Sequence, residues 1–226
     1  MNINANFSQR AVVPVDEHRW VASPQPGVER MMLDRIGGEQ ARATSLVRYA
    51  PDSVFPAHGH PGGEEILVLS GMFCDSSGRY GPGWYLRNPP GSAHQPSSPD
   101  GALIFVKLRQ MPSEDTRTVR IDTRQPAAWQ RAEDQEAREI CPLHRSAHEE
   151  VCPRRLPLGQ ALDLDTRGGA ELLLLEGQLV AQAASLDCGS WLRLPPGAVC
   201  DWAAGPEGAT FYLKSGHLLA LAGLTP

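Results

Sequence analysis

Several things are scarce in this 226-residue chain, and each scarcity excludes a class of protein. Apolar runs such as ILVL, LIFV, LLLL and TFYL are short, far below the roughly 20 residues of a membrane-spanning helix, so no segment reads as a membrane crossing. The opening residues MNINANFSQRAVVPVDE lack the apolar centre of a secretory leader, and the expected compartment is the cytoplasm. Positive charge is in deficit: 21 Lys and Arg against 26 Asp and Glu leave a net charge of −5. The basic residues are also scattered, which offers no footprint for a phosphate backbone and argues against a nucleic-acid partner. Cysteine is sparse and odd in number: Cys74, Cys141, Cys152, Cys188 and Cys200, with no Cys-x-x-Cys pair, read as reduced thiols, most of them small buried apolar residues. Aromatics are only 6%, yet 41% apolar residues still fill a core and exclude a disordered or collagen-like chain.

Glycine and proline are abundant. The 22 Gly and 20 Pro exceed average usage without a short period, which predicts many tight turns and an all-β fold. The turns also repeat. Gly71, Gly83, Pro89-Pro90-Gly91 and His94 recur 106 residues later as Gly177, Gly189, Pro195-Pro196-Gly197 and Cys200. GEEILVLSG (63–71) matches GAELLLLEG (169–177) in the same register, and DGALIFVKL (100–108) matches EGATFYLKS (207–215) after one added residue. A repeat sustained over this length means two copies of one structural unit. The polar stretch 110–131 is the natural joint, so the expected domains are 1–112 and 113–226. Within each copy the short apolar runs are broken every 8–12 residues by Gly or Pro, the rhythm of a sandwich or small barrel. DQEAREI (134–140) is the best helical candidate, one or two turns long and connective.

The chemistry lies in PAHGHPGGEEILVLSG. His58 and His60 are two apart, so on a strand both imidazoles project from one face. Glu64 follows, and His94 stands directly behind the Pro-Pro-Gly turn. Three His and one carboxylate suit a divalent transition metal. His58-x-His60-x3-Glu64-x6-Gly71 followed by Gly83-x5-Pro89-x-Gly91-x2-His94 resembles the two-motif signature of the cupin superfamily, and the HPGGEEILVLSG run is similar to the cupin-like domain of ChrR-type anti-sigma factors. The resemblance implies two tandem double-stranded β-barrels, or jelly rolls, packed as a pseudo-dimer, with His58, His60, Glu64 and His94 as ligands of one metal. Zinc is expected first, while iron, nickel or manganese is accepted by the same ligands. Glu65 is the alternative carboxylate.

The second copy departs from this pattern. Leu164, Thr166, Ala170 and Cys200 occupy the four ligand positions, which predicts a degenerate barrel without metal. Glu171 and Cys200 are too few for a site, and Cys200 reads as a buried thiol. Cys141, His144, His148 and Cys152 have the composition of a zinc site, but Pro142 and Pro153 break any helix that would align them, so an edge hairpin is expected. His18 and His217 read as solvent-facing or locally satisfied histidines. Gly71, Gly83 and Gly91 are expected at positive φ. Tyr49, Phe55, Tyr80, Trp84 and Phe105 are candidates to line the first barrel, their facing unassigned because a one-residue slip reverses it.

Two functions follow from the resemblance. One is a ChrR-like regulatory module of the anti-sigma-factor, stress-response type. Nothing before residue 30 supplies the His and Cys-x-x-Cys of the sigma-binding domain, so a sigma factor is not the expected protein partner. The other is a metal-dependent dioxygenase acting on a diketone or aryl-ketone small molecule bound in the first barrel. Isomerase or sugar-nucleotide chemistry is disfavoured, because few basic residues stand near the motifs. A storage role is excluded by length and composition. The expected assembly is a monomeric pseudo-dimer or a homodimer.

Overall fold

The computed structural model describes residues 1–38, 40–132, 135–219 and 221, the side chains of Gln135 and Glu136 excepted. Among the described residues the helices are two single 3-10 turns, Val15–Glu17 and Pro126–Ala128, and the rest of the regular structure is strand. The sheets fit the jelly-roll arrangement expected from the sequence.

The chain forms two compact units. The first is Met1–Ala5 with Arg19–Gln125, and the second is Asn6–His18 with Pro126–Pro226. Backbone pairing draws this border differently from a cut after residue 112. Ala11–Val13 pairs antiparallel with Trp191–Leu194, and Val119–Asp122 pairs antiparallel with Trp84–Asn88. A polar stretch reads as a linker in sequence, but an open sheet edge offers its unpaired amides to any extended segment within reach.

In the first unit a seven-stranded antiparallel sheet runs in the order Val119–Asp122, Trp84–Asn88, Glu64–Gly71, Ala102–Leu108, Arg42–Tyr49, Val28–Ile36, Val21–Ala22. A four-stranded sheet and the pair His58–His60 with Ser92–His94 complete the unit. The two-residue period of the Glu64–Gly71 strand sorts its side chains. Ile66 and Val68 join Val47, Ile104, Val106 and Leu86 in one buried cluster. Leu67 faces the other way, in register with Tyr85 and Phe105, both buried. Burial on both faces explains the unbroken ILVL run, and each such side chain contributes about 1.5–3 kcal/mol. Of the aromatic candidates, Tyr49 and Tyr80 sit in the inner cluster with Phe55 and Trp84 packed against it, whereas Phe105 lies on the opposite face.

The repeat is visible in buried charge as well as in glycine. Glu65 stands opposite Arg87 and Lys107, and Glu171 opposite Arg193 and Lys214. All six are buried. Arg87 bridges Glu65 and Asp115, the latter at 2.6 Å. In the second unit Glu171 accepts from Trp191 Nε1 at 2.8 Å and lies 3.2 Å from His217 Nε2. Gly71 and Gly177 occupy φ 72° and 74°, and a Cβ there would lie 2.0 Å from Gly101 O and 2.2 Å from Gly208 O. No other residue fits such a bend.

The second unit carries a ten-stranded sheet around two long strands, Ala170–Ala181 and Ala203–Ser215. Its core is a leucine-rich cluster with Trp202 and Phe211. The helix expected over 134–140 is replaced by a strand, Gln135–Ile140, while Asp134 lies outside the described residues. This strand is hydrogen-bonded between Gln130–Ala132 and Arg154–Leu156. Two ladder partners outweigh the high helix propensity of Glu, Ala and Arg.

Candidate metal centre

His58 and His60 are carried by one short strand, and Cα pairing sets His94 directly opposite His58. The same-face rule and this register bring three imidazoles together, with ring centroids 4.6–5.1 Å apart. Gly91, at φ 83°, closes the Pro-Pro-Gly turn and donates its N–H to His60 O at 2.9 Å. Glu64 is the first residue of the interior strand Glu64–Gly71, its inward position fixed by the same alternation that sends Ile66 and Val68 into the core. One ligand atom from each of His58, His60, Glu64 and His94 lies within 4.8 Å of the others. Among the described residues this is the one such group of His, Cys, Asp and Glu.

The donor set fits a divalent cation on the structure's own evidence. His60 Nε2 and His94 Nε2 are buried without a hydrogen bond, and lie 3.3 and 3.4 Å from Glu64 Oε2. Each orphaned atom costs about 1–3 kcal/mol, and a shared cation removes that cost. Burial, then the neighbouring His94 and His58, pushes the His60 imidazole down to about 3, so it stays in the neutral form that ligates. Burial also lowers His58, partly offset by its Nδ1 contact with Pro56 O at 2.9 Å. Burial raises the Glu64 carboxyl, opposed by His94 and by Asn88.

Around these four stands a supporting ring. Asp75 Oδ2 is 3.3 Å from His94 Nδ1. Burial alone would raise the Asp75 carboxyl, but its contacts with His94 and the Ser77 N–H bring it below its ordinary value. Arg120 donates to Asn88 Oδ1 at 2.6 Å, and Asn88 Nδ2 donates to Glu64 Oε2 at 3.0 Å. Such contacts fix ligand orientation. Sequence reasoning named none of these three, because Asp75 ends a three-residue strand at a hairpin, Asn88 opposes Glu64 only through strand register, and Arg120 arrives on a strand within the polar stretch that reads as a linker.

A cavity of about 230 Å³ opens beside the site. His58, His60 and Glu64 form one wall, and Arg30, Arg35 and Arg109 also line it. The expectation of few basic residues near the motifs is therefore overturned. The arginines come from distant strand ends, which motif spacing does not see.

The remaining candidates fall apart as sites. Glu65 points to the opposite face and is bound to Arg87. Cys141 and Cys152 are buried and free, and burial pushes their thiols up to about 12 and about 11. His144 is 3.7 Å from Glu149 and His148 is exposed, so these four do not converge on an ion. The stretch forms a small hairpin, His144–Arg145 against Glu150–Val151. Leu164, Ala170 and Cys200 pack with the apolar core of the second unit, and Thr166 Oγ1 donates to Ala198 O at 2.8 Å. Burial raises the Cys200 thiol too.

No curated protein sequence matches the chain. Residues 8–112 match the family model described as the ChrR cupin-like domain. Among solved structures, a candidate dioxygenase from Nostoc punctiforme PCC 73102 aligns with TM-score 0.75 and 14% identity over 94% of this chain and 84% of its own. Bacterial pirin from Escherichia coli, solved with nickel(II), aligns with TM-score 0.64 and 12% identity over 91% and 98%. Streptomyces albus HEPD, solved with 2-hydroxyethylphosphonate and Fe(II), aligns with TM-score 0.63 and 11% identity over 100% and 81%. At such identities the likeness is one of fold. No helix of the described residues is long and apolar enough to cross a membrane. The stretch 8–112 thus matches the ChrR cupin-like domain, in a chain of cupin fold with a candidate metal centre in its first unit.

Proposed function

We propose that the chain is a metal-dependent enzyme of the dioxygenase class, with His58, His60, Glu64 and His94 holding one divalent ion and a small oxygen-chelating substrate bound in the adjoining cavity. The single observation that carries this reading is the cavity itself: three of the four ligand side chains form its wall, so a molecule in it meets the ion. A site serving structure alone is usually closed on all sides. At about 230 Å³ the space lies below the ~300–1,000 Å³ of drug-sized sites, which limits the substrate to a small molecule. A redox-active ion bound there supplies Lewis acidity and an electron-transfer partner for dioxygen.

The protein's own share is positioning. The His58–His60 strand and its partner strand set three imidazoles, and Asp75 and Asn88 hold two of the four ligands in orientation. Phe55, Val47, Ile104 and Val106 line the cavity beside them and exclude water from the reacting centre. The candidate dioxygenase and the Fe(II)-bound HEPD among proteins of this fold support the reading.

The test is metal content of protein purified anaerobically without added metal, followed by oxygen uptake with small chelating substrates. Near one iron, manganese or nickel per chain with substrate-dependent oxygen uptake supports the enzyme. Near one zinc per chain, and no uptake after reconstitution with iron, manganese or nickel, overturns it. That result favours the second reading, a ChrR-type sensory module, whose specific support is the family match over 8–112.

A further inference from the structure

The Val28–Ile36 strand carries an anomaly. Strand register aligns Arg30 with Val47, Val47 with Ile104 and Ile104 with Val68, a row that is otherwise apolar and buried in the inner cluster. A cation in an inward row is rare unless something pairs with it. Among the described residues Arg30 and Arg109 enter no ion pair, and the Arg35 guanidinium reaches only the carbonyl of Gly38. Arg30, Arg35 and Arg109 nevertheless line the same cavity as three of the candidate metal ligands. Arg30 is half-buried; burial first and then Arg35 lower its pKa, and its charge in turn lowers that of His58. Like charges gathered around a small, partly desolvated space, with the neighbouring carboxylate Glu64 turned to the imidazoles, create a demand for an anion from outside.

We propose that Arg30, flanked by Arg35 and Arg109, is the carboxylate-binding group of this cavity, and that the ligand is a small 2-oxo or 2-hydroxy carboxylate rather than a neutral diketone. A planar guanidinium matches a carboxylate through two parallel hydrogen bonds, a geometry that a ketone oxygen cannot use. Such a carboxylate carries a second oxygen next to the first, and that oxygen is the one left for the ion. The proposal deepens the substrate class of the function above and rests on that reading for the second oxygen, whereas the carboxylate contact stands on the arginines alone.

The experiment measures binding by calorimetry in one buffer of fixed ionic strength. Oxalate is the carboxylate probe, methylphosphonate the other oxyanion, and acetylacetone the neutral chelator. Each is titrated into metal-free and metal-loaded wild type, Arg30→Gln and Arg30→Lys, with melting curves and metal content recorded for every variant. The expected result is oxalate binding to the metal-free wild type, weakened at least tenfold in Arg30→Gln and partly restored in Arg30→Lys. Acetylacetone should be unaffected by either change, and metal content should be the same in all three proteins. Oxalate affinity unchanged within twofold in a folded Arg30→Gln protein overturns the proposal. So does acetylacetone or methylphosphonate binding more tightly than oxalate, or the absence of oxalate binding in both forms. Arginine-dependent oxalate binding in a protein that takes up no metal supports the carboxylate site while refuting the metal-enzyme reading, so the two failures are told apart.

Discussion

Replacing Asp75 by Asn isolates the orientation of one candidate metal ligand, His94. Asp75 Oδ1 accepts the backbone N–H groups of Ser77 and Gly78 at 2.7 and 3.1 Å, while Oδ2 stands 3.3 Å from His94 Nδ1. An Asn keeps the first set through its carbonyl oxygen, so the hairpin survives. It replaces the charged acceptor facing His94 with an amide, and the imidazole loses the partner that fixes its orientation and raises its basicity. Losses of this kind cost 10–100-fold in metal affinity. At 3.3 Å the contact is longer than the ~2.7–2.9 Å of a strong charge-assisted bond, so the lower part of that range applies. The expected effect is about 10–30-fold, or about 1.4–2 kcal/mol. The assay is competition for zinc or manganese against a chromophoric chelator at fixed pH, with the metal-free melting temperature as the control for folding. Affinity within threefold of wild type in a folded Asp75→Asn protein would refute the idea that Asp75 orients His94.

Three further outcomes follow from the geometry. Gly71→Ala should lower stability by about 3 kcal/mol or more in chemical denaturation, because its positive φ and the approach of Gly101 O act together, whereas Gly91→Ala, at φ 83° with nothing within 4 Å, should lose only about 1–2 kcal/mol. Glu64→Gln should lose metal and keep its fold, while Glu65→Gln should keep metal and lose about 1.5–3 kcal/mol, because its buried partner Arg87 keeps Asp115. At pH 8 a thiol reagent followed by mass spectrometry should modify exposed Cys188 first and leave Cys141 and Cys152 untouched, since thiols pushed up to about 12 and about 11 hold less than about 0.1% thiolate there. The unfolded chain releases those thiol protons above about pH 8.5 and the folded chain keeps them, so stability should fall as pH rises through that range.

What could be read in the sequence was local or strictly periodic. The strands, the glycine turns and the 106-residue repeat are carried by short spacings, and so is the convergence of His58 with His60 on one face. His94 was reachable because the motif counts residues to it across a tight turn. The features missed are those that only long-range pairing creates. Arg30 looks like any surface arginine until its register with Val47 and Ile104 is known. Arg120 sits in a stretch whose polarity hides its strand, and Gln135–Ile140 became a strand because two partners flank it, not because its composition asked for one.

The two halves also show what a binding site costs a fold. In the second unit Leu164 and Cys200 stand where the repeat places ligands in the first and pack against the core, with Trp202 and the leucine cluster around them. The first unit keeps three imidazoles in contact, two with buried Nε2 atoms that make no hydrogen bond. Without metal that arrangement is a liability. His60→Leu removes one orphaned polar atom and adds apolar contact, so the metal-free variant should be more stable than metal-free wild type by about 1–2 kcal/mol. The gap should widen below pH 6.5, where the unfolded chain protonates its histidine and the folded chain, with His60 pushed down to about 3, does not. With free metal at a hundred times its dissociation constant, wild type gains about 2.7 kcal/mol that the variant cannot, and the order of melting temperatures should invert. Differential scanning calorimetry in chelator and in excess metal reads both states. A His60→Leu protein that melts below wild type in chelator would mean that the imidazole cluster is satisfied without an ion, and the case for a metal built on those orphaned nitrogens would fail.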